Sequence, residues 1–527
     1  MDKRKLYRLT RRTGFLWKSA GLLAGVLVAL GIAISFLNTE RLEIFEKPMS
    51  SSVVLGEFSD ELDGLLPDES TGQALAEAIG KALERDRPFH EKLLDIQYLL
   101  YFAEPQNPVA FSGTDALGSN ETAVVEAFLA ATSGQKPIEP LKTMAETQSA
   151  PPFANYALAL AYELAQDDPA AVEALRREIL LHGSDPARER LVDTFLDLSD
   201  STALEELAAD PDFAPFITPY VRQEIALDKM DWPEILQTHF SAAYENTNGA
   251  MVLLALLSGG VWATVLFRFN GSRSVWPLAL PALLLGALSA HATLLFIYWQ
   301  EYQLGFEMGE GLVQQLIYCV LGIGLREEAL KLLLFVPLIP LLLRRTDLEI
   351  LTVAGLVGLG FAIEENIGYF TGSAGTSALG RFVTANFLHI ALTAMCGLTL
   401  VRALVHRGED IGHAANTFAM AVAIHGLYDA FLMVYAFSDY SFLAMTVFVL
   451  MGYQYFGWLR HLRDEWRDPV SITFAFTLGV VFVTGLSFAL YAWDVGPSRA
   501  FQSIGFEVIG VAIILIMFYR EIPETLE

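Results

Sequence analysis

Residues 312–345 read LVQQLIYCVLGIGLREEALKLLLFVPLIPLLLRR, and this stretch decides the fold of the chain. At a rise of about 1.5 Å per residue, the run is long enough to cross a bilayer, which needs roughly 20 residues. A charged side chain at mid-membrane costs about 2.5–3.5 kcal/mol on insertion scales unless it pairs, protonates or faces a wet cavity. Ionisable residues at that depth are therefore candidates for function. Those at the centre of the run are Arg326, Glu327, Glu328 and Lys331.

The alternative for this cluster is a soluble helix in which Glu327 and Lys331 form an exposed ion pair across one helical turn. Residues 317–325 and 332–343 on either side are almost entirely apolar, however, and leave no polar face for such a helix. The composition also favours a membrane protein, since 53% of the 527 residues are hydrophobic, 18% are charged and the mean hydropathy is +0.40. We therefore predict a polytopic membrane protein.

Almost all of the net charge of −26 lies in one segment. Residues 40–245 contain 39 acidic and 14 basic side chains, whereas the rest of the chain is nearly neutral. Alanine-, leucine- and glutamate-rich runs alternate here with breaks that contain Asp, Gly and Pro, which predicts short amphipathic helices, with stacked hairpins as one arrangement. We expect helices at 72–85, 154–165, 169–181 and 188–198, and a loop or a break between two subdomains at 105–152.

No catalytic site is predicted in this acidic segment. Its histidines, His90, His182 and His239, are isolated from one another and from other candidate groups. Cys319 and Cys396 both lie in apolar runs outside the segment, so cysteine usage predicts no disulfide there.

The N-terminus of the chain is strongly basic over residues 1–18, and residues 19–37 then form an uncharged run. This run is longer than the apolar core of most cleaved signal peptides, the alternative interpretation, and no Ala-x-Ala site closes it. We interpret it as a signal anchor and first transmembrane span, with the N-terminus in the cytoplasm. Residues 38–248 then form an acidic extracytoplasmic helical domain, 249–520 a multi-span membrane domain and 521–527 a cytoplasmic tail.

The connections between the later apolar runs alternate in charge, with basic residues on the side of the N-terminus. Because Lys and Arg mark cytoplasmic loops, the alternation predicts about ten spans, with both termini in the cytoplasm. The one misfit in this pattern is Arg381, which falls on the outer side. The predicted fold is an all-α polytopic transmembrane helix bundle of the cell (inner) membrane, with a soluble helical domain inserted between the first and second spans. The predicted spans are 19–37, 249–267, 275–299, 312–343, 350–370, 382–404, 414–435, 442–459, 471–491 and 503–519.

Polar residues recur inside the spans that follow the opening cluster. Residues three or four positions apart share a helix face, so the pairs in the sixth and seventh spans each present two polar groups to one neighbour. The fifth span carries Glu365 and Asn366, the sixth Asn386 and His389, and the seventh His425 and Asp429.

The predicted depth of Glu328 in the membrane does not match that of His389. Helical rise places it roughly 24 Å from the outer end of its span, whereas His389 lies only about 10 Å from the outer end of its own. We expect the first part of the fourth span to tilt or to lie along the interface, because Gln314, Gln315 and Gly322 weaken it.

These residue types suit hydrolysis of a peptide bond within the membrane. A carboxylate in a poorly solvated site binds its proton more tightly than one in water, which suits a base that deprotonates water and then protonates a leaving amine. Neutral histidines and an amide can donate hydrogen bonds to a developing oxyanion, or the histidines can bind a metal together with a carboxylate. None of the spacings is a zinc-helix signature such as His-Glu-x-x-His, so the residues leave the metal open.

Taken in order along four spans, these motifs resemble those of the PrsW family of intramembrane proteases, which is related to the CAAX prenyl proteases and to bacteriocin-processing enzymes. The resemblance covers about 150 to 250 residues, with a protease core at about 312–435, and implies a glutamate-dependent protease that works with or without a metal. The family is associated with the site-1 cleavage of membrane-anchored anti-sigma factors in stress signalling. The motifs that carry the resemblance are Glu327-Glu328-x-x-Lys331, Phe361-x-x-x-Glu365-Asn366, a single intramembrane His389, and His425-x-x-x-Asp429.

The resemblance also implies roles for the residues. Glu328 with Glu327 would activate water, Glu365 would assist, and His389 and His425 would bind a metal or the oxyanion. A metal site would consist of His389, His425 and one of Glu328, Glu365 and Asp429, with Glu365 as the preferred carboxylate and zinc as the candidate ion. Without a metal, the paired glutamates would activate water unaided. The residues in supporting positions are Lys331, Asn366, Asn386 and Asp429.

Two other classes of function also place polar residues in a membrane. A proton-coupled transporter does so, but here all motifs fall on four consecutive spans without a second copy. A sensor or scaffold with a degenerate enzyme core would lack a motif residue, and none is evidently lost. The expected partners are a membrane-anchored protein substrate, the lipid bilayer and a protein that binds the extracytoplasmic domain, with no nucleic acid. His291 and Glu507, outside the motifs, are expected to be packed or interfacial residues.

Overall fold

The structure is a computed structural model, and it describes residues 3–37, 71–84, 86–103, 117–132, 138–271, 274–462 and 470–522. These residues form helices and turns, and no strand occurs among them. The predicted all-α fold class is therefore confirmed. The chain divides into two compact units, Ile44–Glu245 and the combination of Met1–Glu43 with Asn246–Glu527. We call them the acidic unit and the membrane unit.

The membrane unit begins with two N-terminal helices, α1 (Lys3–Thr10) and α2 (Thr13–Ser35). Helix α2 contains most of the predicted first span, and it is long and apolar enough to cross a membrane. It packs along a later helix of the unit through small residues. A Cβ atom on Gly31, for example, would lie only 2.9 Å from Ala489 Cα.

The acidic unit consists of short helices whose starts follow from the sequence. Asp167, Ser184 and Asp200 each accept a hydrogen bond from a backbone N–H in the first turn of the helix that follows, which is the N-cap role of these residue types. The helices are α3 (Thr71–Glu84), α4 (Phe89–Ala103), α5 (Ser119–Thr132), α6 (Glu139–Ala145), α7 (Ala154–Leu164), α8 (Asp168–His182), α9 (Asp185–Asp197), α10 (Ser201–Ala208), α11 (Pro219–Asp228) and α12 (Trp232–Ala243).

Helices in the acidic unit pack mainly against their neighbours in sequence: α7 on α8, α8 on α9, α9 on α10, and α11 on α12. All four predicted helices are present, as α3, α7, α8 and α9, with ends within a few residues of the expected ones. Their apolar faces share one core, in which Phe128, Leu160 and Leu175 are fully enclosed.

The prediction of a loop at 105–152 was wrong for much of that range, because α5 and α6 lie within it. Within these two helices, Val124, Val125 and Leu141 are buried. Residues 104–116 and 133–137 lie outside the described residues.

The rest of the membrane unit is a succession of apolar helices with two π-helical segments, Trp299–Gln303 and Tyr318–Leu325. Its helices are α13 (Gly249–Asn270), α14 (Trp276–Tyr298), α15 (Leu312–Ile317), α16 (Arg326–Phe335), α17 (Ile339–Leu342), α18 (Asp347–Gly372), α19 (Ala378–Val383), α20 (Ala385–Val405), α21 (Ile411–Met433), α22 (Phe442–Leu462), α23 (Ile472–Val495), α24 (Pro497–Gly510) and α25 (Ala512–Glu521).

Seven helices in the described part of the chain are long and apolar enough to cross a membrane, or eight if α24 and α25, which meet at a bend of 51°, form one span. The count of ten spans stays a prediction. Two predicted spans account for the difference. The span at 312–343 is interrupted by the π-helical segment Tyr318–Leu325 and by a 3-10 turn at Val336–Leu338. Helix α21, at the predicted span 414–435, is continuous, but its polar side chains make it less apolar.

Glycines allow close contact between the π-helical segment Tyr318–Leu325 and α21. A Cβ atom on Gly324, in the π-helical segment, would lie 2.5 Å from the carbonyl oxygen of Val422 on α21. Likewise, a Cβ on Gly358 of α18 would lie 2.2 Å from the carbonyl oxygen of His389 on α20. Small residues allow such backbone contacts between membrane helices. The glycines thus let α16, α18, α20 and α21 approach one another closely enough for their polar side chains to meet.

Candidate active site

Four helices of the membrane unit contribute the predicted site residues. Helix α16 carries the paired glutamates and the lysine, α18 the Glu-Asn pair, and α20 and α21 one histidine each. Hydrogen bonds and ion pairs connect all nine predicted residues, two of them through one further side chain that was not predicted. They are Glu327, Glu328, Lys331, Glu365, Asn366, Asn386, His389, His425 and Asp429. We call this set, with the connecting side chain, the polar network.

Lys331 lies at the centre of the polar network and is fully buried. Its Nζ atom lies 2.8 Å from Glu328 Oε1 and 3.4 Å from Glu327 Oε2. The same atom is 4.1 Å from the ring centroid of Phe361, which places the ammonium group over the aromatic face. A buried charge is tolerated only with such partners, so the paired glutamates and Lys331 depend on one another for their stability.

His389 links Lys331 to Glu365. Its Nδ1 atom lies 2.8 Å from Lys331 Nζ, and its Nε2 atom lies 3.1 Å from Glu365 Oε2. An ammonium group only donates hydrogen bonds, so Nδ1 accepts and the ring proton is on Nε2, where it is donated to Glu365. Both nitrogens of this imidazole are therefore engaged, and His389 can bind an ion only by giving up one of these two contacts.

His425 has a different environment. Its Nδ1–H donates to Glu328 Oε1 at 2.8 Å. Its Nε2 atom faces Glu327 Oε2 at 3.6 Å and Asp429 Oδ2 at 3.5 Å, both longer than a hydrogen bond. Those two oxygens are buried and have no hydrogen-bond partner among the described residues. Such orphaned acceptors are rare in folded proteins, and they indicate a position for water or a cation beside His425.

The polar network is closed at one end and open at the other. Glu328 and Lys331 are fully enclosed, whereas the side chains of Asp429 and Glu365 are 18% and 26% exposed. The Glu327 side chain, at 10%, lies between these extremes. The accessible part of the polar network is therefore at Asp429 and Glu365.

The described residues contain one group suited to a metal ion, formed by Glu327, His389 and His425. Each offers one ligand atom, and these atoms lie within 4.8 Å of one another. Two imidazoles and a carboxylate are a donor set of catalytic zinc sites. The environment of His425 also fits, because metal-binding histidines commonly donate their other N–H to a carboxylate, as His425 does to Glu328.

The carboxylate of this group differs from the one expected. The sequence suggested Glu365, but Glu365 Oε2 already accepts hydrogen bonds from His389 and from Arg381. Glu327 Oε2 is the carboxylate oxygen that remains available next to His425. The direction of each side chain from its helix decides this, and spacing along the chain does not reveal it.

Arg381 is the side chain that sequence reasoning missed. Its Nη2 atom donates to Glu365 Oε2 at 2.6 Å, and its Nε donates to Asn366 Oδ1. Asn366 in turn donates to Asn386 Oδ1 at 2.7 Å. The signal in the sequence was that Arg381 did not fit the charge pattern of the loops.

The two polar residues expected to be packed or interfacial have partners. His291 Nε2 lies 3.2 Å from Glu364 Oε1, on the residue next to Glu365. Glu507 accepts a hydrogen bond from the backbone N–H of Gly380 at 2.9 Å. Both contacts join helices near the polar network without taking part in it.

Residues 274–453 match the family model described as PrsW family intramembrane metalloprotease. This range contains every residue of the polar network. The match confirms the resemblance to the PrsW family that the sequence motifs indicate. No curated protein and no solved structure matches the chain. The match supports an intramembrane protease, a peptide hydrolase whose substrate is a membrane-embedded protein.

Proposed function

We propose that the polar network hydrolyses a peptide bond of a single-span protein within the bilayer. The observation that supports this most is that two buried carboxylate oxygens without a hydrogen-bond partner among the described residues, Glu327 Oε2 and Asp429 Oδ2, both lie within 3.6 Å of His425 Nε2. A water molecule between them would find two acceptors for its protons. The partly exposed Asp429 and Glu365 leave this position open to a peptide.

The sequence alone pointed to Glu328 as the base, but its surroundings favour a supporting role. Glu328 Oε1 already accepts hydrogen bonds from Lys331 and His425. Its Oε2 atom has no hydrogen-bond partner among the described residues, but the side chain is fully enclosed. We assign Glu328 the task of holding Lys331 and His425. The water proton then goes to one of the two less enclosed oxygens, Glu327 Oε2 or Asp429 Oδ2.

Whether a metal ion is bound decides which of these two carboxylates accepts the proton. Glu327, His389 and His425 would hold the ion, which when bound acts as a Lewis acid and makes water easier to deprotonate. With Glu327 used as a ligand, Asp429 is the remaining base. Without a metal, Glu327 is the base, because it is the more enclosed of the two carboxylates.

The proton transfers are the same in either case. The carboxylate takes a proton from water as the water oxygen bonds to the carbonyl carbon, and it gives that proton to the amide nitrogen as the carbon–nitrogen bond breaks. The fully buried Lys331 and His389 keep their positions throughout, since each is held by fixed partners.

The identity of the substrate follows from the resemblance rather than from the geometry. We propose that the chain makes the site-1 cut in a membrane-anchored anti-sigma factor, and that the acidic unit binds a protein partner outside the cytoplasm. Reporter fusions at residue 150 and at the C-terminus should then report opposite sides of the membrane. Both reporters on one side would contradict this topology.

The direct test uses purified protein, a single-span substrate and three single variants. Glu327→Gln and Asp429→Asn should each lower kcat/KM, and the variant that removes the base should do so by about a hundredfold or more. Glu521→Gln is the matched control, because Glu521 is also a buried carboxylate with a basic partner, Arg460 at 2.7 Å, but lies outside the polar network. Near wild-type cleavage by both network variants would refute the proposal.

Metal analysis then assigns the base. If active protein holds a stoichiometric metal and loses activity on chelation, Asp429→Asn should show the base-type loss while Glu327→Gln should also lose the metal. If exhaustively chelated protein stays active, Glu327→Gln alone should show that loss.

A further inference from the structure

Arg381 makes three directed contacts with one turn of α18. Its Nη2 atom donates to Glu365 and its Nε to Asn366, and the guanidinium carbon lies 3.6 Å from the ring centroid of Tyr369. The planar guanidinium has several N–H donors in fixed directions, so one side chain can orient two acceptors at once. The stacking against Tyr369 fixes the plane in which those donors lie.

One branch of contacts leads from Arg381 to His389. Glu365 Oε2 accepts from Arg381 and also from His389 Nε2. The imidazole must keep its proton on Nε2, because its Nδ1 accepts from Lys331 at 2.8 Å. By holding Glu365 in place as an ionised acceptor, Arg381 favours this tautomer of His389.

A second branch leads to an unpaired donor. Arg381 Nε fixes Asn366 Oδ1 as the acceptor end of that amide, so the Nδ2 end points to Asn386 Oδ1 at 2.7 Å. This in turn defines the free end of the Asn386 amide. Asn386 is fully buried, and its Nδ2 atom has no hydrogen-bond partner in the described part of the chain.

A buried N–H donor without a partner is unfavourable and calls for a ligand. Asn386 lies three residues before His389 on α20, so both side chains face the polar network. The ligand that peptide hydrolysis brings there is the carbonyl oxygen of the scissile bond, which gains negative charge as water adds.

We propose that Arg381 is a positioning residue of this active site, which orients His389 through Glu365 and directs the Asn386 amide N–H, through Asn366, at the substrate carbonyl oxygen. This inference rests on the proposed function. It extends it by naming the donor to the developing oxyanion and the residue that aims that donor.

Arg402 offers a matched control for the alternative, in which Arg381 only ties two helices together. Arg402 on α20 pairs through two nitrogens with Asp347 at the start of α18. Like Arg381, it therefore joins another helix to α18 by an Arg–carboxylate contact. It lies outside the polar network. Arg402→Ala should therefore reduce thermal stability without reducing kcat.

The experiment compares cleavage of a single-span substrate by Arg381→Ala, Arg381→Lys, Asn386→Ala and Arg402→Ala. Loss of an oxyanion donor lowers kcat by roughly a hundredfold, so Arg381→Ala and Asn386→Ala should both lose activity on that scale, mainly in kcat. Arg381→Lys should recover part of the loss, because an ammonium is a point charge that cannot serve both Glu365 and Asn366.

Chemical rescue separates positioning from helix packing. Guanidinium chloride at low millimolar concentration should restore part of kcat to Arg381→Ala, since the vacated position is partly exposed, and it should not restore Asn386→Ala. Wild-type kcat in Arg381→Ala would overturn the inference. So would a loss that tracks thermal stability as in Arg402→Ala and does not respond to guanidinium.

The failure of this inference is distinguishable from that of the proposed function. If Glu327→Gln and Asp429→Asn are inactive while Arg381→Ala cleaves normally, the assignment of Arg381 falls and the active site stands. If both network carboxylate variants cleave normally, the proposed function falls and the inference falls with it.

Discussion

Glu178 in the acidic unit and Glu327 in the membrane unit are both buried carboxylates, but their hydrogen bonds differ. Glu178 Oε1 accepts from the N–H of Phe153 at 2.7 Å, and Oε2 accepts from the N–H of Asn155 at 3.2 Å. Both oxygens serve the start of α7. In the membrane unit, by contrast, Glu327, Glu328 and Asp429 each have a buried oxygen without a hydrogen-bond partner among the described residues.

The contrast indicates what each carboxylate is for. A buried acid whose oxygens are all satisfied fixes the fold, and it can be read as part of the core. Buried acids with unsatisfied oxygens are unfavourable for the fold alone, and such groups cluster at functional sites. On this basis we infer that Glu178 serves stability in the acidic unit, whereas Glu327 and Asp429 serve the proposed chemistry in the membrane unit.

The largest expected effect comes from breaking the charge balance at Lys331. Lys331→Met leaves the buried Glu328 without its closest cation, and removal of one partner of a buried pair costs about 3–5 kcal/mol. Lys331→Met/Glu328→Gln should regain much of that stability, because no charge is then left unpaired, but it should remain inactive. A thiol-reactive dye measures unfolding of this unit, since Cys319 and Cys396 are buried and free. A single variant as stable as wild type would contradict the prediction.

The next-largest effect is that two variants should lose opposite properties, one its activity and the other its stability. Glu327→Gln should lose activity by about a hundredfold or more while unfolding at nearly the wild-type temperature, because Lys331 keeps its closer partner, Glu328, at 2.8 Å. Glu178→Ala should do the reverse: normal cleavage at low temperature, and a loss of about 1–3 kcal/mol in the acidic unit from two unsatisfied N–H groups. Hydrogen exchange of peptides from 154–182 measures the latter. The comparison fails if both variants lose the same property.

The smallest effect concerns pH. Burial raises the pKa of Glu178 above its usual value of 4.5, although the N–H groups of Phe153 and Asn155 oppose the shift. Since the folded state binds this proton more tightly than the unfolded one, the contribution of Glu178 to stability is fully present below pH 4.5 and decreases as pH rises through the raised pKa.

Glu178→Gln has no carboxyl group to titrate, so the decrease in stability with rising pH should be absent from this variant. Exchange protection of 154–182 measured across this pH range, in wild type and in Glu178→Gln, checks the sign. An equal slope in both proteins would show that other groups are responsible.

The sequence was sufficient for the motifs of the site but not for their geometry. Glu328, His389 and His425 stand out because a polar residue in an apolar span is conspicuous. Their spacing also showed which pairs share a helix face. Neither feature reveals the π-helical segment Tyr318–Leu325, since apolar residues there fit an α-helix equally well.

The residues that were misjudged depend on contacts between distant segments. Arg381 looked like a misplaced loop charge because the short helix α19 that turns it towards Glu365 has no distinct pattern. The choice of Glu327 over Glu365 as the available carboxylate depends on side-chain directions on two different helices. Helices α5 and α6 were missed because loop-type residues at their ends masked the buried apolar residues between them.

The central claim is that the polar network hydrolyses a peptide bond inside the bilayer. The most direct measurement places purified wild-type protein and a single-span substrate in liposomes made with oxygen-18-labelled water, and analyses the fragments by mass spectrometry. The account predicts a cut within the apolar span of the substrate, label in the new C-terminal carboxyl group, and no fragments from Glu327→Gln/Asp429→Asn. Fragments of equal yield from that double variant, or none from the wild type, would contradict it.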